Sequence, residues 1–288
     1  MISRPPDAEV AIIGLGVIGG SVALRLRDRG TAVRGFSTSV SDRAEAEHAG
    51  VAVSPTVDGA VRDVGLVLIA VPLDRISAVA GHVMGAAPQS ATMLHAGSLQ
   101  RSEALQALPE IAARLIGTHP LAGSHTTGFA GARADLFRDA TVFVEQRADA
   151  RQREAAEFFW SMAGARRIEY ATAAAHDDAM SRISHLPQLA STALGATLAD
   201  ILEQAPDEHR VNPGPGARDA TRLAMSSLEM WQPLLERAPT ATVDALRALE
   251  GNVHRLRIAL EERDWPLLRE LWTRGQQWRA TLEHGELT

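Results

Sequence analysis

Three glycines near the amino terminus have the spacing of a phosphate-binding loop. Gly14, Gly16 and Gly19 follow the apolar run Val10–Ile13 and precede an amphipathic stretch that ends at Gly30. In a strand–turn–helix unit the first glycine permits the tight turn, the second lets the backbone approach a pyrophosphate, and the third lets the helix pack on the strand. A glycine-rich turn without a ligand is the alternative. The predicted dinucleotide site comprises Gly14, Gly16, Val17, Ile18 and Gly19.

The residues after the next strand predict which dinucleotide binds. An NAD-selective site usually places an acidic side chain there, on the ribose 2′-hydroxyl. This chain has Ser37 instead, followed by Thr38, Ser39 and Arg43. Hydroxyls beside an arginine suit a 2′-phosphate, so we predict NADP in preference to NAD. A role of these hydroxyls in capping the next helix is the alternative.

A glycine-rich polar stretch, GTHPLAGSHTTG at residues 117–128, is too polar for a core strand and too rich in glycine for a helix. It contains His119, which follows an apolar run just as Ser98 follows another. Ligands of parallel sheets lie at the carboxyl ends of the strands, so both residues are candidates for a ligand site. Farther on, His185 lies on a predicted helix that also contains Pro187, which removes a backbone hydrogen bond. A lone histidine on a helix is also typical of a structural residue.

Arginines mark another candidate binding site. The stretch GPGARDATRLAM leads from a glycine-rich loop into Arg218, Asp219 and Arg222 at a helix start. A guanidinium suits bidentate capture of a carboxylate. Adjacent Arg218 and Asp219 are typical of a surface ion pair, so we assign Arg222 to an anionic ligand.

The first half of the chain alternates strands with helices. Strand-like segments such as Leu66–Val71, TMLHAGS and RLIGTHP are separated by helical stretches of about 15 residues, which predicts a parallel sheet covered on both faces. Val71 and Pro72, at the end of one such segment, join the predicted cofactor site. After ATVFVEQ and ARRIEYA the strand signals stop. The predicted fold is an α/β Rossmann-type domain with a parallel-rich sheet at residues 1–172, followed by an all-α domain at residues 173–288.

Composition limits the classes of partner. The net charge is −6 and the arginines are scattered, which disfavours a nucleic-acid or anionic-membrane surface. No apolar run approaches the ~20 residues of a membrane span, and no signal-peptide pattern opens the chain. The absence of cysteine suits a reducing cytosol. We predict a cytoplasmic protein that binds a small-molecule substrate and no metal, and that forms a homodimer through its tryptophan-bearing helical domain.

Several ordered motifs together resemble the prephenate/arogenate dehydrogenase family of tyrosine biosynthesis. They are GLGVIGGS, HAGS, GTHPLAGSHTTG, DLF, HD…SRISHLP and GPGARDATRLAMSSLEMW, and they occur in both predicted domains. The resemblance implies oxidation of a cyclohexadienol. In that reaction a hydride passes from ring C4 to the nicotinamide, and the ring carboxylate leaves as CO₂.

The same resemblance implies roles for individual residues. His119 would be the catalytic histidine at the substrate hydroxyl. Ser98 would hydrogen-bond that hydroxyl or orient His119, and Arg222 would neutralise a substrate carboxylate. The other implied substrate-binding residues are Ser124, Thr127, His185 and Gln188.

This chain departs from the family pattern at three positions. Gln100 stands where family members often have lysine, Gln188 where they have histidine, and His125 near the position of a common glutamate. The neutral amide of Gln188 leaves open the choice among prephenate, arogenate and a 4-amino analogue. We expect no appended regulatory module and therefore no tyrosine control through one.

Two other interpretations remain. β-Hydroxyacid dehydrogenases and ketopantoate reductases share the two-domain plan, but they typically use a catalytic lysine, and this chain contains none. A non-catalytic NAD(P)-sensing protein would keep the glycine loop without needing Ser98, His119 and Arg222 together.

Overall fold

The computed structural model describes residues 9–100, 109–123, 126–146, 149–206 and 213–284. The chain forms two compact units. The first contains Met1–Ala179 and Met225–Ala238, and the second contains Met180–Ala224 and Pro239–Thr288.

Eight strands within the described residues form one sheet in the first unit. The strands are β1 (Val10–Ile13), β2 (Val33–Phe36), β3 (Ala52–Val53), β4 (Leu66–Ile69), β5 (Thr92–His95), β6 (Leu115–Pro120), β7 (Thr141–Glu145) and β8 (Arg167–Ala171). Their order is β3-β2-β1-β4-β5-β6-β7-β8, and only the β6–β7 pair is antiparallel. The first six positions follow the order typical of dinucleotide-binding folds. The predicted Rossmann-type fold with a parallel-rich sheet is therefore confirmed.

The central strands explain why helices cover both faces of the sheet. Ile12 of β1 and Leu68 of β4 pack into one hydrophobic cluster, whereas their neighbours Ile13 and Ile69 pack into another. Successive side chains of a strand point to opposite faces. Strands that are apolar throughout, such as VAII and LVLI, therefore require a layer of helices on each side.

Helices and short turns complete both units. In chain order the helices are α1 (Val17–Asp28), α2 (Val40–His48), α3 (Val57–Val61), α4 (Ile76–Ala86), α5 (Pro109–Arg114), α6 (Ala150–Ala163), α7 (Ala173–Met180), α8 (Leu186–Gln204), α9 (Pro215–Ala220), α10 (Leu228–Leu235), α11 (Thr240–Glu261) and α12 (Trp265–His284). Helix α10 belongs to the first unit, where it contacts the 3₁₀ turn Leu73–Arg75.

Helix α6 shows how local signals set the bounds of an element. The Asp149 side chain accepts a hydrogen bond from the Gln152 N–H, and the Gln152 side chain accepts one from the Asp149 N–H, which forms a capping box. Gly164 ends the helix with a φ of 108°, a conformation that favours glycine. Between these ends the helix buries Phe159 and Trp160 in the core.

The second unit is helical in the part of it that the structure describes, as predicted from the sequence. Helix α11 contacts α8, α12 and a π-helical turn, Ser181–His185, that precedes α8. Pro187 is the second residue of α8, and the π turn runs into α8 without a break, so the missing N–H lies inside a continuous helical segment. Throughout the chain, none of the described helices combines the length and the apolar character that a membrane span needs.

Candidate active site

The glycine loop after β1 packs so closely that side chains are excluded at two positions. Gly14 has a φ of +100°, and a Cβ added there would lie 2.3 Å from the Ala70 carbonyl oxygen and 3.1 Å from Val71 Cγ1. A Cβ added at Gly19 would lie 1.9 Å from the Gly14 carbonyl oxygen. At Gly16, by contrast, an added Cβ would meet nothing within 4 Å. The loop is therefore tight against the sheet and open beside Gly16.

Helix α1 begins directly after this open position. Gly16 is its N-cap, no side chain caps it, and Val17 and Ile18 form its first turn. The N–H groups of a first turn have no intrahelical acceptor. Nearby, Pro72 begins the turn that follows β4. Backbone donors that face open space fit the pyrophosphate of a dinucleotide.

The segment after β2 holds the residues predicted to select the ribose. Ser39 caps α2, because its hydroxyl accepts a hydrogen bond from the Asp42 N–H over 3.2 Å. Ser37 is buried, and its hydroxyl accepts from the Ser39 N–H over 3.2 Å. The Arg43 guanidinium donates to the Ser37 carbonyl oxygen over 2.6 Å, while the Thr38 side chain is exposed. The capping role therefore applies to Ser39.

The side chain of Gln100 packs against the glycine of the GTHP motif in β6. Gly117 of β6 lies opposite His95 of β5. A Cβ at Gly117 would lie 1.7 Å from Oε1 of Gln100, whose buried side chain donates to the Gly97 carbonyl oxygen over 2.8 Å. The Thr118 hydroxyl donates to the His95 carbonyl oxygen over 2.8 Å. These contacts fix the strand segment that leads to the catalytic candidate two residues beyond Gly117.

That candidate, His119, begins a chain of polar contacts that runs into the protein. His119 Nδ1 lies 3.0 Å from His176 Nε2, and His176 Nδ1 lies 2.7 Å from Asp177 Oδ1. The His176 and Asp177 side chains are 1% and 3% exposed. Asp177 Oδ1 also accepts a hydrogen bond from the Gln100 backbone N–H over 2.8 Å. Phe143, opposite His119 in the β6–β7 register, contacts the His176 ring edge-on.

Three other residues of the first unit are predicted to take part in the site, namely Ser98, Ser124 and Thr127. Ser98 is partly exposed and follows β5, the strand adjacent and parallel to β6. Ser98 and His119 therefore lie at the carboxyl ends of neighbouring strands. Thr127 is exposed, shortly before the 3₁₀ turn Phe129–Gly131. Ser124 lies outside the described residues.

In the second unit, His185 is part of a buried hydroxyl cluster. Its ring is 1% exposed, and its Nδ1 lies 2.9 Å from the Thr242 hydroxyl oxygen. The Thr242 hydroxyl donates to the Ser181 hydroxyl over 3.0 Å. These contacts join the π turn to α11.

Helix α8 holds the segment that carries Arg222. The buried Gln188 amide donates to the Leu223 carbonyl oxygen over 2.9 Å, and the Ser191 hydroxyl donates to the Ala220 carbonyl oxygen over 3.0 Å. The same Ser191 oxygen accepts from the Ala224 N–H over 3.2 Å. Arg222 begins the 3₁₀ turn Arg222–Met225 and is exposed. Its backbone is therefore fixed from both sides by side chains of one helix.

His176 and Asp177 were missed as candidate functional residues at the level of sequence. In the sequence they stand only as the letters HD of the family motif HD…SRISHLP. The adjacent histidine and aspartate were a usable signal for acid–base chemistry. Their contact with His119 spans 57 positions of the chain, and no local pattern encodes it.

Comparison with known proteins gives matches along almost the whole chain. The family model of the prephenate dehydrogenase nucleotide-binding domain matches residues 22–169, and that of the prephenate dehydrogenase dimerization domain matches residues 172–274. Cyclohexadienyl dehydrogenase of Zymomonas mobilis is 29% identical over 283 residues, which cover 96% of each chain.

Solved structures share the fold. Prephenate dehydrogenase of Aquifex aeolicus, in complex with hydroxyphenyl propionate and NAD⁺, superposes with a TM-score of 0.84 at 21% identity, covering 97% of this chain and 100% of the other. Synechocystis arogenate dehydrogenase superposes with a TM-score of 0.76 at 24% identity, covering 95% and 99%.

Proposed function

This chain belongs to the prephenate dehydrogenase family, and we propose that it oxidatively decarboxylates a cyclohexadienol, prephenate, arogenate or a close analogue, with a nicotinamide dinucleotide. The product is 4-hydroxyphenylpyruvate from prephenate or tyrosine from arogenate. The observation that carries the proposal is the placement of His119 at the end of β6, with its ring held by the buried His176. The glycine loop lies at the same carboxyl edge of the sheet, which is where parallel sheets bind their ligands.

His119 serves as the base in this proposal. Its imidazole accepts the proton of the hydroxyl on ring C4. A bound nicotinamide supplies the acceptor for the hydride that leaves C4. The electron pair of the bond to the ring carboxylate then moves through the ring as CO₂ departs, and the C4 oxygen, now a phenolate, takes a proton back from His119. Aromatisation makes the overall step favourable.

Polar side chains hold the substrate around that base. Ser98 hydrogen-bonds the C4 hydroxyl or orients His119. Arg222 pairs with a substrate carboxylate, because its guanidinium offers two parallel donors. The anchoring of residues 220–224 by α8 supports this role, since a fixed backbone lowers the entropy lost when the exposed side chain binds. We assign further substrate contacts to Ser124, Thr127, His185 and Gln188.

The cofactor proposal is NADP in preference to NAD. Residues around the glycine loop, including Val71 and Pro72, hold the dinucleotide, and the absence of an acidic side chain at Ser37 removes repulsion toward a 2′-phosphate. Thr38 and Arg43 supply a hydroxyl and a cation for that phosphate. We further propose that dinucleotide binding belongs to residues 1–172 and substrate binding and dimerisation to residues 173–288.

The helical part of the chain is proposed to form a homodimer. The family model that matches residues 172–274 is described as a dimerization domain. Helix α12 exposes Trp265, Trp272 and Trp278 by 57%, 64% and 59%, and exposed aromatic side chains on one helix favour an interface. Light scattering should give twice the chain mass of 30.8 kDa. A stable monomer would contradict the assignment.

Steady-state assays of the purified protein test the function. Prephenate and arogenate are each assayed with NAD and with NADP, and release of CO₂ is measured together with the reduced nicotinamide. Equal amounts of CO₂ and reduced nicotinamide support the proposal. Dinucleotide binding without turnover of either cyclohexadienol would favour the sensing protein instead.

A further inference from the structure

The contacts between His119, His176 and Asp177 define the direction of each hydrogen bond. A neutral imidazole has one nitrogen that donates and one that accepts, and the partner of one nitrogen decides the role of the other. The innermost partner is Asp177 Oδ1, which already accepts a hydrogen bond from the Gln100 N–H. An ionised carboxylate can only accept.

The proton positions follow outward from that carboxylate. Because Asp177 Oδ1 accepts, His176 Nδ1 carries the proton of the 2.7 Å contact. His176 Nε2 then has the lone pair and must accept across its 3.0 Å contact with His119 Nδ1. His119 Nδ1 therefore carries the second proton. The remaining nitrogen of that ring, Nε2, is left with the lone pair.

We propose that His176 and Asp177 are positioning residues that hold His119 in the Nδ1–H tautomer, with Nε2 as the proton acceptor. The inference rests on the proposed role of His119 as the base. Catalytic triads use a buried carboxylate to fix a histidine tautomer in the same way, through one imidazole where this chain has two.

We call the contacts from His119 through His176 to Asp177 the histidine relay, and packing fixes its ring planes. The His119 and His176 centroids are 5.1 Å apart with the planes at 74°, and the Phe143 and His176 centroids are 5.1 Å apart at 76°. The His176 ring is thus in edge contact with both aromatic neighbours and buried away from water. Water is kept from competing for its nitrogens, so Asp177 retains control of the tautomer.

Nitrogen-15 NMR of the histidine-labelled wild-type protein tests the tautomer directly. Spectra are recorded at about pH 9, well above the ordinary pKa of imidazole, and the His119 signals are assigned by their absence from His119→Asn. We expect a protonated Nδ1 and an unprotonated Nε2 on His119. A proton on Nε2 would overturn the inference, whatever the enzyme's activity.

A variant separates the hydrogen bond from packing. His176→Phe keeps an aromatic ring but removes the acceptor for His119 Nδ1–H. The Nε2–H tautomer of His119 should therefore appear. We expect kcat to fall by about 10- to 100-fold, with KM changed less than about 3-fold. His176→Gln restores an amide oxygen that can accept, and it should recover part of both readouts. The matched control is Phe143→Leu, which loosens the edge contact without touching the hydrogen bonds.

The control variant and the wild-type spectrum together distinguish failure of the tautomer assignment from failure of the proposed function. If Phe143→Leu lowers kcat as much as His176→Phe and the tautomer is unchanged in both, the inference fails. If His176→Phe does not fold, the wild-type spectrum still decides. A wild-type protein that has the Nδ1–H tautomer but turns over no cyclohexadienol would support the tautomer and refute the proposed function. An active enzyme with the Nε2–H tautomer would do the reverse.

Discussion

The glycine loop and the histidine relay both lie at the carboxyl edge of one sheet, but they work by opposite means. At the loop, Gly14 and Gly19 are needed because a side chain would collide with backbone atoms 2.3 and 1.9 Å away. At the relay, His119 depends on the side chains of His176 and Asp177. The glycine loop consists of residues close together in the sequence, whereas the histidine relay joins residues that are far apart in it. Substitutions should therefore affect folding and cofactor binding at the loop but turnover at the relay.

The largest expected effect belongs to the relay. His119→Asn should lower kcat by about 10²- to 10⁴-fold, because it removes the proton acceptor from the transition state. The dissociation constant of the dinucleotide, measured by fluorescence titration, should stay nearly unchanged. Turnover at the wild-type rate would refute the role of His119. It would also contradict the expectation that substitutions in the relay affect turnover.

Arg222 extends the comparison to a charged side chain. Arg222→Ala should raise KM by about 30- to 1,000-fold, or ~2–4 kcal/mol, because a substrate carboxylate loses its hydrogen-bonded cation. Cofactor affinity should barely move. Initial-rate kinetics over a range of substrate concentrations measure the effect.

Arg218→Ala is the matched control for that change. Arg218 is exposed, and its Nε donates to the Pro213 carbonyl oxygen over 3.5 Å. Arg218→Ala should weaken the free energy of substrate binding by about 1 kcal/mol at most. If Arg218→Ala loses substrate affinity while Arg222→Ala keeps it, the assignment is reversed.

The glycine loop offers a pair of substitutions that separates folding from ligand binding. Gly14→Ala should lower the free energy of unfolding by about 2–3 kcal/mol, because the φ of +100° and the Ala70 oxygen both oppose a Cβ. Gly16→Ala should change it by less than about 0.5 kcal/mol, since nothing lies within 4 Å. Gly16→Ala should instead weaken dinucleotide binding by about tenfold, through a methyl group in the approach to the backbone. Denaturant unfolding and dinucleotide titration measure the two quantities, and equal unfolding losses would contradict the difference in packing.

The smallest expected effect concerns the ribose. Ser37→Asp should shift the ratio of kcat/KM for NADP and NAD toward NAD by about tenfold, because a carboxylate repels the 2′-phosphate and can accept from the 2′-hydroxyl. The buried Ser37 side chain also accepts from Ser39 N–H, and a carboxylate can keep that contact. A wild-type enzyme that already prefers NAD tenfold would contradict the proposal.

The sequence by itself determined the parts of this protein that depend on neighbouring residues. The apolar strands around Val10–Ile13 and Leu66–Ile69, the glycine spacing and the switch to helices follow from periodicity and backbone sterics, and the structure agrees with them. The resemblance in ordered motifs gave the family. A local pattern succeeds in these cases because the residues that act together are within a few positions of each other.

Only the tertiary structure decided which side chains meet. It brings His176 and Asp177 to His119. It also hydrogen-bonds the backbone of residues 220–224 to the side chains of Gln188 and Ser191. It also packs the Gln100 side-chain oxygen 1.7 Å from the position that a Cβ of residue 117 would take. These contacts join residues 17 to 57 positions apart. Their partners are chosen by strand order and helix packing, which depend on burial of the whole core rather than on any one segment.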